Sequence, residues 1–320
     1  MCGQCGFILN GTGLIGQLLT ASESAMVHRG PDSTGFALYG EELAEDMIIV
    51  RARLARGVDP DIAIENIEHN VTAVRGRFVS EPQMTNGVNG SGTFLRILVN
   101  CSEPPALLLD AIESVEGTYV HSMGRRLEII KDVGTAEEVA ACHGILNFIG
   151  THGLAHSRLA TESTVDVELS HPFWARPYLD VAIVHNGQLT NYYKMRHLMS
   201  QRKLKFLTEN DSELIAVYIA EQLSEGKTLR EALWKSIAEL DGVFTYLLAT
   251  DTAIGCATDP LAIKPLVVTE VGSTVAMATE EQALRQVFDT ELVTEYVREG
   301  SVTVWPVEAA TEREKSAYSA

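Results

Sequence analysis

The second residue of the chain, Cys2, combines a nucleophile with a position at which it can supply its own base. If Met1 is removed, Cys2 carries a free α-amine beside its thiol. An α-amine titrates near ~7.7–8.0, so part of it is a neutral base at neutral pH. An N-terminal amine that activates its own side chain is an established form of nucleophilic catalysis. Cys2 is therefore a candidate nucleophile, and the alternative is an ordinary buried cysteine.

Cys2 and Cys5 also form a Cys-x-x-Cys pair, a spacing that metal and redox sites use. A zinc site needs further Cys or His ligands at suitable spacing, and a thioredoxin-type pair lies between a strand and a helix. Neither context is evident, so we predict no metal site. The five cysteines are an odd, scattered set without an apparent leader peptide, which favours free thiols and a cytoplasmic protein.

Four further segments bring polar groups that could serve a nucleophile. They are 28–35, 155–161, 185–187 and 210–213. Arg158 is a charged residue in an otherwise small and apolar stretch. Asn186-Gly187 follows an apolar run that predicts a strand ending there, and it offers an amide donor and a flexible backbone N–H. Asp211 lies where a predicted helix begins.

Taken in order, these segments resemble the motifs of the class II glutamine amidotransferases, the N-terminal-nucleophile group. That pattern is Cys-Gly, His-Arg-Gly-Pro/Gln-Asp, Arg-x-Ala/Ser-Thr, Asn-Gly and an Asp before Ser/Thr-Glu, and all five motifs are present here. Residues 256–266 are similar to the family's Arg-Asp-Pro-Leu-Gly-Ile-Arg-Pro-Leu run, and 278–284 to its Ser-Glu-x-x-Ala-Leu run. The resemblance covers nearly the whole chain apart from about 41–120.

The resemblance implies a role for each of these residues. Cys2 would attack the side-chain amide of glutamine, and water would later hydrolyse the thioester. The Asn186 amide and the Gly187 N–H would stabilise the oxyanion. The site residues implied for substrate binding are Arg158 for the α-carboxylate, Asp211 for the α-ammonium and Thr161 as a lining residue.

Each of these roles has a structural alternative. Arg158 could be an ion-pair partner, Asp211 a helix N-cap, and Asn186-Gly187 a hairpin turn. The remaining polar residues of the motifs are interpreted as structural supports: His28, Arg29, His156, His171 and His185.

The elements that position these residues can be predicted from hydrophobic patterning. Apolar runs between turn residues predict strands at 36–39, 47–51, 93–99, 127–131, 149–156, 181–184, 243–249, 253–258, 265–268, 274–278 and 301–305. Helices are predicted at 14–27, 104–115, 135–142, 192–202, 212–223, from 228 and at 280–288. With the resemblance, this predicts an α+β fold, a four-layer αββα N-terminal-nucleophile hydrolase sandwich over residues 2–320. A small α/β lobe is inserted at about 41–120.

The charge balance and the motif variants point to partners. The net charge of −18 argues against nucleic acid and anionic lipid, and no apolar stretch is long enough for a membrane helix. The run Ala160-Thr161-Glu162-Ser163 and the lobe resemble stand-alone amidotransferase subunits of glutamate synthase-like complexes, including the N-methylglutamate synthase type. No synthase domain, P-loop or flavin barrel is apparent in the chain.

We therefore expect no cofactor in this chain and a glutamate synthase-like partner subunit that carries FMN and an iron–sulfur cluster. Two alternatives stay open at this stage. One is an independent amidohydrolase of the same fold that cleaves a γ-glutamyl or other amide. The other is a non-catalytic assembly or ammonia-gating subunit.

Overall fold

The described residues of the chain form three β-sheets with helices on their outer faces. The computed structural model describes residues 2–159, 166–289 and 291–307. In chain order the strands are β1 (Gly3–Gly13), β2 (Ser33–Tyr39), β3 (Met47–Leu54), β4 (Arg77–Phe78), β5 (Gln83–Asn86), β6 (Thr93–Asn100), β7 (Thr118–Gly124), β8 (Leu127–Val133), β9 (Gly150–Arg158), β10 (Phe173–Trp174), β11 (Ala182–Leu189), β12 (Gly242–Ala249), β13 (Ala253–Thr258), β14 (Val267–Val271), β15 (Thr274–Ala278), β16 (Thr294–Tyr296) and β17 (Val302–Pro306). The helices are α1 (Ile15–Ser24), α2 (Pro60–Ala73), α3 (Pro105–Glu113), α4 (Ala136–Cys142), α5 (Tyr192–Gln201), α6 (Asp211–Ser224), α7 (Leu229–Glu239) and α8 (Glu281–Arg285).

The first sheet places the N-terminal strand near its centre. Its order is β16-β14-β15-β1-β9-β2-β8, and β1 pairs antiparallel with both β15 and β9. Every residue of β2 is buried, and so is every residue of β9 except Arg158. A strand covered on both faces needs apolar or small residues at nearly every position, as these two strands have. The start of β1 is thereby held firmly at one end of the sheet.

The second sheet packs against the inner face of the first. Its order is β10-β11-β12-β13-β17. Leu154 of β9, Val184 of β11 and Leu247 of β12 are fully buried in the core between the two sheets. Helices α5, α6 and α7 cover the outer face of the second sheet, and nearly all of α6 is buried there. An apolar sequence on every side of a helix is expected for such a buried position.

Helices α1, α4 and α8 cover the outer face of the first sheet. Ile15 and Leu19 of α1 are buried in one core with Phe36 of β2 and Ala155 of β9. Burial of such side chains contributes about 1.5–3 kcal/mol each. The layers therefore follow the order helix, sheet, sheet, helix, and the predicted αββα sandwich is confirmed.

The third sheet comes from the segment between β2 and β8. Its order is β4-β6-β3-β7, and β5 also pairs with β6. Helices α2 and α3 cover one face, where Ile67 and Leu108 are buried in one core with Val50 of β3 and Ile97 of β6. We call residues 47–124 the lobe. They correspond in position to the insertion expected at about 41–120.

The two helices with capping boxes were predicted well, whereas other elements were missed or misplaced. Thr135 and Thr228 form the capping boxes of α4 and α7. Helix α2 was not predicted, although Asp59 caps it with hydrogen bonds from two backbone N–H groups and Pro60 occupies its first turn. Helix α8 ends at Arg285, before the predicted Phe288. Among the described residues no helix is long and apolar enough to cross a membrane.

Candidate active site

Cys2 lies immediately before β1 and lines a cavity of about 880 Å³. The next residue, Gly3, pairs with Ser157 of β9. A Cβ atom on Gly3 would lie 2.8 Å from Glu23 Oε1 and 3.1 Å from both Met26 Cβ and Ser157 Oγ. Only glycine therefore fits beside Cys2 without moving buried atoms. Close packing under Gly3 holds the backbone next to Cys2 in place.

Asn186 and Gly187 reach the same cavity from the second sheet. The Asn186 Nδ2 amide donates to the Cys2 carbonyl at 3.4 Å and to Thr279 Oγ1 at 3.3 Å. On its other side, Asn186 Oδ1 lies 3.2 Å from Nε2 of His156, which can donate to it. The side chain expected to donate to an oxyanion therefore lies directly against Cys2, the residue expected to be the nucleophile.

The prediction that the strand ends before Asn186-Gly187 was wrong, and the hairpin-turn alternative is wrong with it. The two residues lie inside β11, opposite Thr245 and Phe244 of β12. Gly187 has φ +150, and a Cβ there would meet the carbonyl oxygen of Val243 at 2.1 Å. Backbone pairing with β12 extends β11 beyond its apolar residues. The polar residues of that extension give no local sign of a strand.

Arg158 lies at the end of β9 and lines the cavity. Its Nη1 donates to the backbone carbonyl of Leu169 at 2.7 Å. Among the described residues Arg158 forms no ion pair, so the structural ion-pair alternative has no support from them. Thr161, the other residue predicted near it, lies outside the described residues.

Asp211 is the first residue of α6 and also lines the cavity. Its Oδ2 accepts from the backbone N–H of Leu189 at 2.9 Å, and its Oδ1 lies 3.7 Å from Nδ1 of His185. The N-cap of α6 is Asn210, whose side chain accepts from the N–H of Ser212. Asp211 is therefore not the helix cap, and its carboxylate is available at the cavity wall.

Three histidines are buried behind these groups. Ser212 Oγ lies 2.7 Å from Nε2 of His171 and 2.9 Å from Nδ1 of His185, and the rings of His171 and His156 are 4.1 Å apart. Burial lowers the pKa of His156 to about 3 and that of His171 well below its ordinary value. Burial also lowers the pKa of His185. The lowered pKa values leave the three histidines neutral at physiological pH, and each ring is hydrogen-bonded. Their role as structural supports stays a prediction.

The His28-Arg29 turn is anchored to the tail of the chain. Both side chains pair with the carboxylate of Glu280. Burial alone would raise the pKa of Glu280, but hydrogen bonds from Arg29 and His28 outweigh it and lower the pKa. The pairing holds the turn against the first sheet, and Arg29 itself lines the cavity.

Thr279 is a site residue that motif reasoning did not single out. Its backbone N–H donates to the carbonyl of Gln4, and its Oγ1 accepts from the N–H of Gln4 at 3.0 Å. It thus fixes β1 next to Cys2 while it accepts from Asn186. The sequence did carry a sign of this role, because Thr279 belongs to the 278–284 run that is similar to the family's Ser-Glu-x-x-Ala-Leu motif.

The Cys-x-x-Cys pair does not converge on one point. Cys5 is fully buried, with its Sγ 3.9 Å from the carbonyl of Leu19, whereas Cys2 faces the cavity. Residues three apart on an extended strand lie on opposite faces, which separates the two thiols. Within the described residues no group of three or more His, Cys, Asp or Glu could hold a metal ion.

The fold and the site together define an N-terminal-nucleophile type of amidotransferase domain. A family model described as a glutamine amidotransferase domain matches residues 156–286. The chain is 33% identical over 326 residues to a candidate glutamine amidotransferase of Methanothermobacter thermautotrophicus, covering 96% of this chain and 100% of that protein. It is 31% identical to the glutamine amidotransferase-like protein GlxB of Rhizobium meliloti, covering 97% of each. The chain belongs to the class II glutamine amidotransferase family.

Two solved structures share the fold. One is the allosteric regulatory enzyme of purine biosynthesis, with a TM-score of 0.58 and 19% identity over 93% of this chain and 45% of that one. The other is the glutamine phosphoribosylpyrophosphate amidotransferase of B. subtilis, with a TM-score of 0.58 and 18% identity over 96% and 49%. The chain spans about half the length of these two structures, and at these identities the likeness concerns the fold alone.

Proposed function

We propose that the chain hydrolyses L-glutamine to glutamate and ammonia through a thioester on Cys2. One observation carries the proposal. Cys2, Arg158, Asn186 and Asp211 come from four separate elements, and all four line one cavity. A thiol, an amide donor, a cation and a carboxylate are the groups that hydrolysis of a free amino-acid amide requires.

In the proposed reaction the nucleophile adjoins the first sheet, and the oxyanion donors lie in the second. After removal of Met1, the α-amine of Cys2 takes the thiol proton as the sulfur attacks the amide carbon of glutamine. The Asn186 Nδ2 amide and the Gly187 N–H stabilise the oxyanion. The protonated α-amine then gives its proton to the leaving nitrogen, and ammonia departs. Water attacks the thioester, which releases glutamate and restores the thiol.

Arg158 and Asp211 select the free amino acid. A guanidinium can hold the α-carboxylate through two parallel hydrogen bonds, and a carboxylate can hold the α-ammonium. A glutamine inside a polypeptide has neither charge, so it would leave the two half-buried groups without a charged substrate partner. We therefore expect discrimination against peptide-bound glutamine by several orders of magnitude. Thr161 remains a proposed lining residue.

A partner subunit is proposed as the acceptor of the ammonia. The similarity of the 160–163 run to stand-alone amidotransferase subunits supports a glutamate synthase-like or N-methylglutamate synthase-like chain with FMN and an iron–sulfur cluster. Such a partner should copurify with the chain from its native source. Glutamine turnover should rise when the partner and its substrates are added. Purification of the chain alone under mild conditions would argue against the partner.

The hydrolysis itself is tested by measuring glutamate and ammonia released from glutamine. The wild-type protein should release both in a 1:1 ratio, and Cys2→Ser should release neither above background. A γ-glutamyl amide offered in parallel separates the glutaminase from a more general amidohydrolase. Turnover of that amide with none of glutamine would overturn the proposed substrate, and turnover of neither would indicate a non-catalytic subunit.

A further inference from the structure

The turn formed by residues 166–170 lies between the lobe and the substrate-binding arginine. Three consecutive backbone carbonyls of this turn accept hydrogen bonds from cations. Arg158 Nη1 donates to the carbonyl of Leu169 at 2.7 Å. Lys131 Nζ donates to the carbonyls of Glu168 at 3.2 Å and Ser170 at 2.8 Å. The Arg158 guanidinium is therefore hydrogen-bonded to the same turn that Lys131 binds.

The side chain of Glu168 ties the same turn to the lobe. Arg53 of β3 binds it with two parallel hydrogen bonds, Nε to Oε1 at 2.8 Å and Nη2 to Oε2 at 2.7 Å. Only 11% of the Arg53 side chain and 10% of the Glu168 side chain are exposed. His121 of β7 places its Nε2 3.5 Å from Oε1 of the same carboxylate. Arg53 thus holds one residue of the turn in a desolvated pair, and His121 of a second lobe strand lies beside it.

Arg53 is itself held in a single orientation. Its Nη1 donates to the carbonyl of Ser91 at 2.7 Å, and its guanidinium lies 5.5 Å from the ring centre of Tyr119. A planar guanidinium with this many partners is fixed in its orientation. Lysine cannot replace it, because an ammonium group does not form two parallel hydrogen bonds to one carboxylate in this way. A shift of the lobe must therefore be transmitted to Glu168 rather than absorbed by rotation of the side chain.

We infer that the lobe is a positioning element for glutamine binding: through the Arg53–Glu168 pair it sets the 166–170 turn and hence the orientation of Arg158. Arg53 and Glu168 are positioning residues, since Arg158 is the group assigned to touch substrate. The inference rests on the proposed function for the identity of the ligand. It also explains how movement of the lobe could alter glutamine affinity without contact between lobe and substrate.

The interface between lobe and first sheet offers a matched control. Glu128 of β8 accepts from Arg51 Nε at 2.7 Å and from Arg96 Nε at 2.8 Å and Nη2 at 3.0 Å. Its side chain is 5% exposed and that of Arg51 19%, so this ion pair is largely buried, as the first is. Glu128 belongs to a strand of the first sheet and does not lie on the 166–170 turn. Breaking this pair weakens the same interface without touching the support of Arg158.

The test compares Arg53→Lys and Glu168→Gln with Arg51→Lys and Glu128→Gln in the full-length protein. For the first two variants the KM for glutamine should rise about tenfold, with kcat changed less than threefold. Alkylation of Cys2 by iodoacetamide, which needs no arginine, should keep its wild-type rate. The control variants should lower the unfolding temperature and keep the KM. Added to Arg158→Lys, the Arg53→Lys change should raise the KM little further.

Hydrogen–deuterium exchange gives a readout independent of turnover. Amides of the 166–170 turn should exchange faster in Arg53→Lys and Glu168→Gln than in the wild type, and no faster in the two controls. An unchanged KM and unchanged exchange in both test variants would overturn the inference, as would an equal rise of the KM in the controls. A wild-type protein that does not hydrolyse glutamine would instead reject the proposed function, while the exchange comparison would still decide the coupling.

Discussion

His156 and Asn186 are joined by a contact of 3.2 Å between the histidine Nε2 and the asparagine Oδ1. An amide oxygen can only accept, so the histidine carries its proton on Nε2 and donates it. Because burial lowers the pKa of His156 to about 3, the ring is neutral and has one such proton to give. This contact turns the Asn186 NH₂ toward Cys2, the orientation that oxyanion stabilisation requires.

Asn186→Ala should lower kcat for glutamine hydrolysis by ~10²–10³, the usual loss for one oxyanion donor. The KM should change little, because the donor acts mainly on the transition state. Steady-state ammonia release measures both constants. A kcat within threefold of the wild type would show that Asn186 is not an oxyanion donor.

Arg158→Lys and Asp211→Asn should both raise the KM for glutamine by about tenfold or more, because each loses a charged partner of the amino-acid end. Glutamine methyl ester provides the matched comparison, since it lacks the carboxylate. The Arg158 variant should discriminate between glutamine and its ester far less than the wild type does. Equal discrimination by both proteins would exclude Arg158 as the carboxylate ligand.

Gly187→Ala should destabilise the fold as well as reduce activity. The added Cβ would lie 2.1 Å from a carbonyl oxygen at a φ of +150. We expect a loss of about 1–3 kcal/mol or more in the free energy of unfolding. Gly272→Ala is the control, since Gly272 also has a positive φ, +61, but open space around it. Urea unfolding measures both losses. Similar losses for the two variants would show that the close approach of the Val243 carbonyl to Gly187 does not destabilise Gly187→Ala.

His152 should make stability depend on pH. Its ring is buried against Tyr39 and hydrogen-bonded to the carbonyl of Thr250, and burial lowers its pKa from 6.5 to about 4. Between those two values the unfolded chain binds more protons than the folded one, so stability falls as pH falls through that window. By pH 5 this histidine should account for a loss of about 2 kcal/mol relative to pH 7.5.

The matching variant for that effect is His152→Gln. The change removes the titrating ring, so the stability difference between wild type and variant should shrink by about 2 kcal/mol between pH 7.5 and pH 5. Urea unfolding at several pH values measures it. A difference that stays constant with pH would mean that folding leaves the pKa of this ring unchanged.

The sequence predicted those features that are encoded locally. Thr135 and Thr228 each form a capping box with the glutamate three residues later, which marks the start of a helix. The motifs also identified five residues that line the cavity, namely Cys2, Arg158, Asn186, Gly187 and Asp211. The features that the sequence did not predict depend on contacts with residues far away in the chain. The continuation of β11 through Asn186 requires β12, and Glu168 gains its importance only from Arg53 on another sheet. Neither relation leaves a periodic pattern that a single sequence could show.

The most direct test of the account is labelling of Cys2 by an alkylating analogue of glutamine, read by intact mass and N-terminal peptide mapping. The account predicts one equivalent of label on Cys2 with Met1 absent, protection by excess glutamine, and no label on Cys2→Ser. Cys142→Ser is the control, since Cys142 is another partly exposed thiol, and it should be labelled like the wild type. An intact Met1 with an unlabelled Cys2, or label on another cysteine, would contradict it.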